Sequence, residues 1–289
     1  PVKEAIAMSD DAYGATAAKR RLSLRLTELR QASGHTANHV CDLLDWGRGK
    51  VGRFEANQWK RPEMSDIRDL LRAYGVSAAE AAELEHLAGQ ARARPWWRDY
   101  ADVFENEFAG FENDASQIRT FMPLVLPGLL QTREYMEVVL RAGSRSPSFI
   151  RRASEARLRR QEILDRPETA PQFRAVITEA SLMYRWGSKG DRREQIEHLA
   201  VVSRKNNVDL RIQRFADGPP TGMHSMVNIF DLPGDDSHLV YIETDVAIHE
   251  VSKKEEVESY IHGFSRAQDA ALEPGDTTAY LKYLAEQLE

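Results

Sequence analysis

Between the Ser33-Gly34 break and Asn57 the chain has space for only two helices of roughly two turns each, joined through a glycine. This shortness constrains the fold more than any other feature. Helices of that length are marginal alone and form only when packing braces them. Thr36 is suited to N-cap the first, Ala37 to Leu44, whose Ala37, Val40, Leu43 and Leu44 are expected to point inward. Asp45-Trp46-Gly47 reads as a tight turn, and a further helix is expected from Arg48 to Ala56 with Val51 and Phe54 buried. The brace precedes them. From Ala17 to Ala32, Leu22, Leu26 and Leu29 share one helical face and arginines fill the others, with Ser33-Gly34 as the stop. After a loop at Asn57–Pro62, a fourth helix is expected over Ser65–Tyr74, ended by Gly75, and Ser77 caps a fifth that runs to about Ala93.

Charge is distributed unevenly along the chain. Ala17 to Arg72 holds twelve Lys/Arg against seven Asp/Glu, a local charge of +5 in a chain whose total is −6, so the remainder carries −11. A basic module joined to an acidic body fits a nucleic-acid-contacting head. Two short helices with a glycine turn are the helix-turn-helix geometry, in which the later helix presents its first turns to the major groove. On the exposed face stand Arg48, Lys50 and Arg53. Each arginine can give two hydrogen bonds to guanine O6 and N7, worth roughly 1–3 kcal/mol of base discrimination, whereas a lysine is a less directional charge suited to phosphate. Asn57, Gln58, Lys60 and Arg61 form a polar, basic loop able to clamp a phosphate backbone.

With those residues in view, Leu29 to Val76 resembles the lambda/434 repressor-like (XRE-type) helix-turn-helix regulators, through LRQASGHTANHVCDLLDWGRGKVGRFEANQWKRP and the GVS that follows the next helix. The resemblance implies that Arg48, Gly49 and Arg53 occupy base-reading positions and that Thr36, Asn57 and Lys60 lie near phosphates; Asn38, Lys50, Gln58 and Arg61 complete the expected phosphate contacts. Ala37 stands where this family often has glutamine, and Gly49 and Gly52 place no side chain in the groove, so fewer contacts than usual are expected.

The organisation expected is a loose arm over 1–16, an all-α five-helix head over 17–93 and a mixed helix and small-sheet domain over 94–289, an α+β protein overall. In the second part Asp99–Phe111 and Asn113–Phe121 read as helical, as do Leu129–Ala142, Ser148–Asp165, Glu179–Trp186, Arg192–Asn206, Lys254–Ala271 and Thr277–Leu288. Strands are expected at Phe173–Thr178, Val208–Phe215, Met226–Leu232 and Leu239–Glu243, the last two joined by a turn at Pro233-Gly234-Asp235-Asp236. RPWWRDYADVFENEFAGFENDASQIRTFMPLVLPGLLQTREYMEVVLRAG and AVITEASLMYRWG resemble the domain of unknown function attached to actinobacterial regulators described as antitoxin-like.

Other chemistries find little support. One cysteine, Cys41, excludes an internal disulfide framework and multi-cysteine metal sites, and reads as core. His35 and His39 have the i, i+4 spacing of a zinc pair but lack the intervening glutamate and a third ligand. Gly47-x-Gly49-Lys50 is too short for a phosphate loop. Trp96, Trp97, Phe104, Phe108 and Phe111 read as packing rather than as a ligand box. No metal, no cofactor and no enzyme activity are expected. The longest apolar stretch, Pro123–Leu130, is too short for a membrane span, and with no secretory pattern the expected location is the cytoplasm, nucleoid-associated when bound. The expected function is a sequence-specific transcriptional regulator. Its partners would be double-stranded DNA, a second copy in a homodimer, and a small-molecule effector or small partner protein at the second domain. The alternative is an antitoxin-like protein that binds a neighbour-encoded partner and autoregulates.

Overall fold

The computed structural model describes residues 14–104, 106–143, 145–233, 238–244 and 248–288. Most of the expected arm, 1–13, and most of the expected turn at 233–236 lie outside the described residues. The chain divides into two compact units, Pro1–Asp99 with Asn106–Asp114, and Tyr100–Glu105 with Ala115–Glu289.

The first unit is helical: α1 (Ala15–Ala32), α2 (Ala37–Leu43), α3 (Lys50–Glu55), α4 (Met64–Ala73), α5 (Ala78–Ala91) and α6 (Phe108–Asp114). Leu22 and Leu26 of α1, Val40 and Cys41 of α2, Val51 and Phe54 of α3, Ile67 and Leu70 of α4 and Leu87 of α5 are buried in one cluster. Thus α2, α3 and α4 each contribute at least two side chains to the core that α1 and α5 share. Leu43, expected inward, is 57% exposed. Ala37, Val40, Cys41 and Leu44 make the i, i+3, i+4, i+7 face, and Leu43 falls beside it. Ala15 and Thr16, read as arm, are the first residues of α1. The reason is remote in sequence. Gly14 has no side chain to cap the helix, and the Asp114 carboxylate of α6 does so instead, accepting from the Thr16 and Ala17 N–H groups at 2.8 and 2.9 Å. Position 14 has no space for more, because a Cβ there would lie 1.9 Å from Asp114 Oδ1.

Where a helix was expected over Asp99–Phe111, the described residues show a 3-10 turn (Trp96–Tyr100) and then, from Phe108, α6. The second expected helix, Asn113–Phe121, is instead strand β1 (Gln117–Met122). Its Ile118, Thr120 and Met122 alternate with Arg119 and Phe121, and it is paired along both edges, so sheet pairing overrides the local reading.

The second unit is a six-stranded mixed sheet with helices. In chain order it contains β1, α7 (Arg133–Ala142), α8 (Pro147–Gln161), β2 (Gln172–Thr178), α9 (Ala180–Met183), α10 (Lys189–Val202), β3 (Val208–Gln213), β4 (Met226–Asp231), β5 (His238–Glu243), β6 (Ile248–Val251), α11 (Lys254–Asp269) and α12 (Pro274–Glu286). The strand order is β3-β2-β1-β4-β5-β6. β1, β2 and β3 are parallel, with Thr120 beside Ala175 and Ala175 beside Leu210, whereas β4, β5 and β6 run antiparallel to their neighbours. The helix expected over Glu179–Trp186 is only the single turn α9, and β6 was not expected. One face of the sheet, with Phe121, Val176, Val227, Ile229 and Val240, packs against Val257, Phe264 and Ala267 of α11. Before β4 the chain passes so close to α11 that a Cβ at Gly222 (φ +88°) would sit 2.3 Å from the Gly263 carbonyl oxygen.

The borrowed cap is directly testable. Asp114→Ala should lower the unfolding free energy of the first unit by about 1–2 kcal/mol, the upper range for losing an N-cap. Urea titration followed by circular dichroism reads the change, and an unaltered midpoint would show that the carboxylate does not support α1.

Candidate nucleic-acid interface

The turn between α2 and α3 is longer than the sequence suggests. Thr36 caps α2, its hydroxyl accepting from the His39 N–H at 3.2 Å. The Trp46 N–H then donates to the Cys41 carbonyl at 2.8 Å, and Asp45 takes a left-handed conformation (φ +53°). Gly49 is left-handed as well (φ +82°) and forms the N-cap of α3, a conformation costly to any residue with a Cβ. The third helix therefore begins at Lys50, not Arg48. Arg48 stands in the turn just ahead of it, and Arg53 follows one turn along α3. Arg53 folds back towards the turn, its Nη1 lying 3.7 Å from where a Cβ of residue 49 would be.

A nearly buried ion pair holds α3 in place. The Arg30 guanidinium of α1 grips both oxygens of Glu55, Nε to Oε1 and Nη2 to Oε2 at 3.1 Å, and its Nη1 donates to the His35 carbonyl at 2.8 Å. Both side chains are about 15% exposed. The Glu55 hydrogen bond raises the Arg30 pKa further. Burial, with Glu55 adding to it, raises that of the Tyr74 phenol well above its ordinary value. Behind the helix, Trp59 Nε1 donates to Ser23 Oγ at 3.0 Å and to the Phe54 carbonyl at 3.2 Å.

The expected contact residues separate into two groups. Thr36, Asn38, Arg48, Gly49, Arg53, Gln58, Lys60 and Arg61 are exposed. Lys50 and Asn57 are half-buried and have partners within the unit. Lys50 Nζ is held by Asp66 at 2.7 Å and lies 3.9 Å from the centre of the Trp46 ring, so its charge is answered within the unit. Asn57, left-handed at φ +57°, turns inward, donating from Nδ2 to Glu107 at 3.1 Å and accepting from Ser23 Oγ at 3.4 Å. Its amide secures the loop instead of facing outward.

Pairing then distinguishes the cations. Lys19, Arg25, Arg30, Lys50, Arg68 and Arg72 each meet a carboxylate. Arg48, Arg53, Lys60 and Arg61 meet none among the described residues, which leaves four charges on the turn, α3 and the following loop for an external anion. The Arg30–Glu55 and Lys50–Asp66 pairs had no readable sequence signal, because their partners lie 25 and 16 residues apart on different helices. The His35 and His39 rings lie tilted to one another with centroids 4.9 Å apart, and no group of three or more His, Cys, Asp or Glu among the described residues is arranged to hold a metal ion. No helix among them is long and apolar enough to cross a membrane.

Glu55→Ala should cost roughly 3 kcal/mol, because it strands the Arg30 guanidinium in a mostly buried position. Glu55→Gln should cost less, since its amide oxygen still accepts from Arg30. Thermal unfolding of the two variants checks the order; equal stability of Glu55→Ala and the parent would show that the pair contributes nothing.

Comparison with protein families gives two matches. A helix-turn-helix domain profile matches residues 21–84, which takes in α2, the turn and α3. The profile of a domain of unknown function, DUF5753, matches residues 106–283, more than half of the chain and including the whole sheet. Comparison with curated proteins found no match, and neither did comparison with solved structures. The helix-turn-helix match makes the first unit a DNA-binding module of a regulator. The chain belongs to the DUF5753 family and carries a helix-turn-helix domain ahead of that family's domain.

Proposed function

We propose that the protein is a transcriptional regulator that reads a particular DNA sequence in the major groove as a dimer, its second unit modulating that activity. The observation that carries this reading is the exposure of Arg48 in the turn and of Arg53 on α3, neither meeting a carboxylate among the described residues, while Arg30 and Lys50 beside them are each answered by one. Arginine is the side chain best fitted to guanine, through its two parallel donors. Lys60 and Arg61, exposed on the loop beyond α3, would follow the phosphates, as would the exposed Thr36, Asn38 and Gln58. The XRE-type resemblance of Leu29–Val76 supports the same assignment. One such head buries little area, so specific affinity calls for two heads on half-sites about one helical turn apart. The reading assigns no catalytic step, metal or cofactor.

Selection of bound sequences from fragmented genomic DNA, followed by gel-shift competition against random DNA, tests it. Arg48→Ala and Arg53→Ala should each reduce the preference for the selected site by about 5- to 150-fold, the equivalent of one bidentate base contact. Lys60→Ala and Arg61→Ala should instead weaken all DNA binding alike and each lower the salt dependence by about one counterion. Undiminished preference in both Arg48→Ala and Arg53→Ala would refute the assignment.

A further inference from the structure

Within the first unit, on the side of the loop that follows α3, lies a cavity of about 500 Å³ of whose lining the DNA reading uses only Lys60 and Arg61. Six cations line it, Lys19, Lys60, Arg61, Arg92, Arg94 and Arg98, against one carboxylate, Glu107. That carboxylate is already shared: Lys19 Nζ approaches it at 2.7 Å and Arg98 at 3.5 Å, and Asn57 donates to its other oxygen. Arg92 is fixed by the Pro62 carbonyl and lies 3.7 Å from Glu63; Arg94 meets Asp99 at 2.8 Å. Lys60 and Arg61 have no carboxylate partner among the described residues. Trp97 forms a wall, with the Arg98 guanidinium 4.4 Å from its ring centre. Gathering so many like charges in one concavity costs stability unless an anion relieves it, and a concave low-dielectric wall strengthens the attraction.

We infer that this cleft binds a small molecule carrying two or more phosphate groups, and that the molecule and DNA compete for Lys60 and Arg61. The volume is that of a small-molecule site. The side chains of Lys19, Arg92 and Arg98 are only 8%, 25% and 35% exposed, too recessed for the backbone of a rigid duplex. The phosphate site stands on the cleft alone. The competition rests on the DNA reading above, because Lys60 and Arg61 line the cleft and also flank α3.

Calorimetric titration of the full chain with sodium tripolyphosphate, ATP and adenosine, at about 0.1 M salt where the screening length is about 10 Å, tests the site. Tripolyphosphate and ATP should bind one per chain, and adenosine should not bind; tighter binding of ATP than of tripolyphosphate would assign the site to a nucleotide and equal binding to the phosphate chain alone. Arg98→Gln and the more exposed Arg94→Gln should each weaken binding about tenfold, the value of one charge-assisted contact. In gel shifts, saturating tripolyphosphate should weaken DNA binding by the parent, while Arg98→Gln should bind DNA normally and resist the inhibitor. Absence of heat with both phosphates, or unchanged affinity in both variants, overturns the site. Loss of DNA affinity in Arg98→Gln without tripolyphosphate binding also overturns it, since the cleft would then belong to the DNA track. Inhibition undiminished in Arg98→Gln overturns the competition. Failure of the parent to bind any DNA would refute the DNA reading and leave the titration to decide the site.

Discussion

The grip of Arg30 on Glu55 ties the end of α3 to α1 and to the chain entering α2. α3 has only six residues and could not hold its orientation by helix propensity. Val51 and Phe54 attach it to the core, but apolar contacts are non-directional and would tolerate rotation about its axis. A bidentate guanidinium–carboxylate pair is directional. Because the same guanidinium also holds the His35 carbonyl, one side chain sets the end of α3 and the entry to α2 together. The outward aim of Arg53 and the position of Arg48 ahead of the helix follow from that lock and from the left-handed Gly49.

The distribution of carboxylates around this lock gives the unit its function. A head with every cation exposed would adhere to any polyanion, since phosphate attraction carries no sequence information. Among the described residues Lys19, Arg25, Arg30, Lys50, Arg68 and Arg72 are answered from within, whereas Arg48, Arg53, Lys60 and Arg61, on the turn, α3 and the next loop, meet no carboxylate. Net charge therefore says little about such a chain. A total of −6 coexists with a local cationic surface because acidic residues are placed behind that surface and throughout the rest of the chain.

The five-helix head was legible because its signals are local: caps at Thr36 and Ser77, breaks at Gly34 and Gly75, and heptad-like spacing of Leu22, Leu26 and Leu29. The strands of the second unit with clean alternation, such as Val208–Gln213, were legible for the same reason. β1 was not, because a six-residue strand between glycine-poor, aromatic-rich segments acquires its identity from β2 and β4 on either side. The exposed members of the candidate site were readable as residue types in a pattern. What sequence missed was pairing across helices: Lys50 neutralised by Asp66, and Asn57 drawn inward by Ser23 and Glu107. Those partners are distant in the chain, and no periodicity announces them. The Asp114 cap on α1, borrowed from the far end of the unit, escaped for the same reason.

Guanine N7 methylation interference on the selected DNA site tests whether Arg48 and Arg53, ahead of and along α3, read the major groove. N7 is exposed only in that groove and is one of the two atoms that an arginine fork engages. Methylation at discrete guanines, repeated about one helical turn apart, should block the parent protein, and Arg53→Ala should lose sensitivity at one guanine of each half-site. Interference confined to adenine N3 in the minor groove, or a guanine pattern identical in the parent and Arg53→Ala, would contradict it.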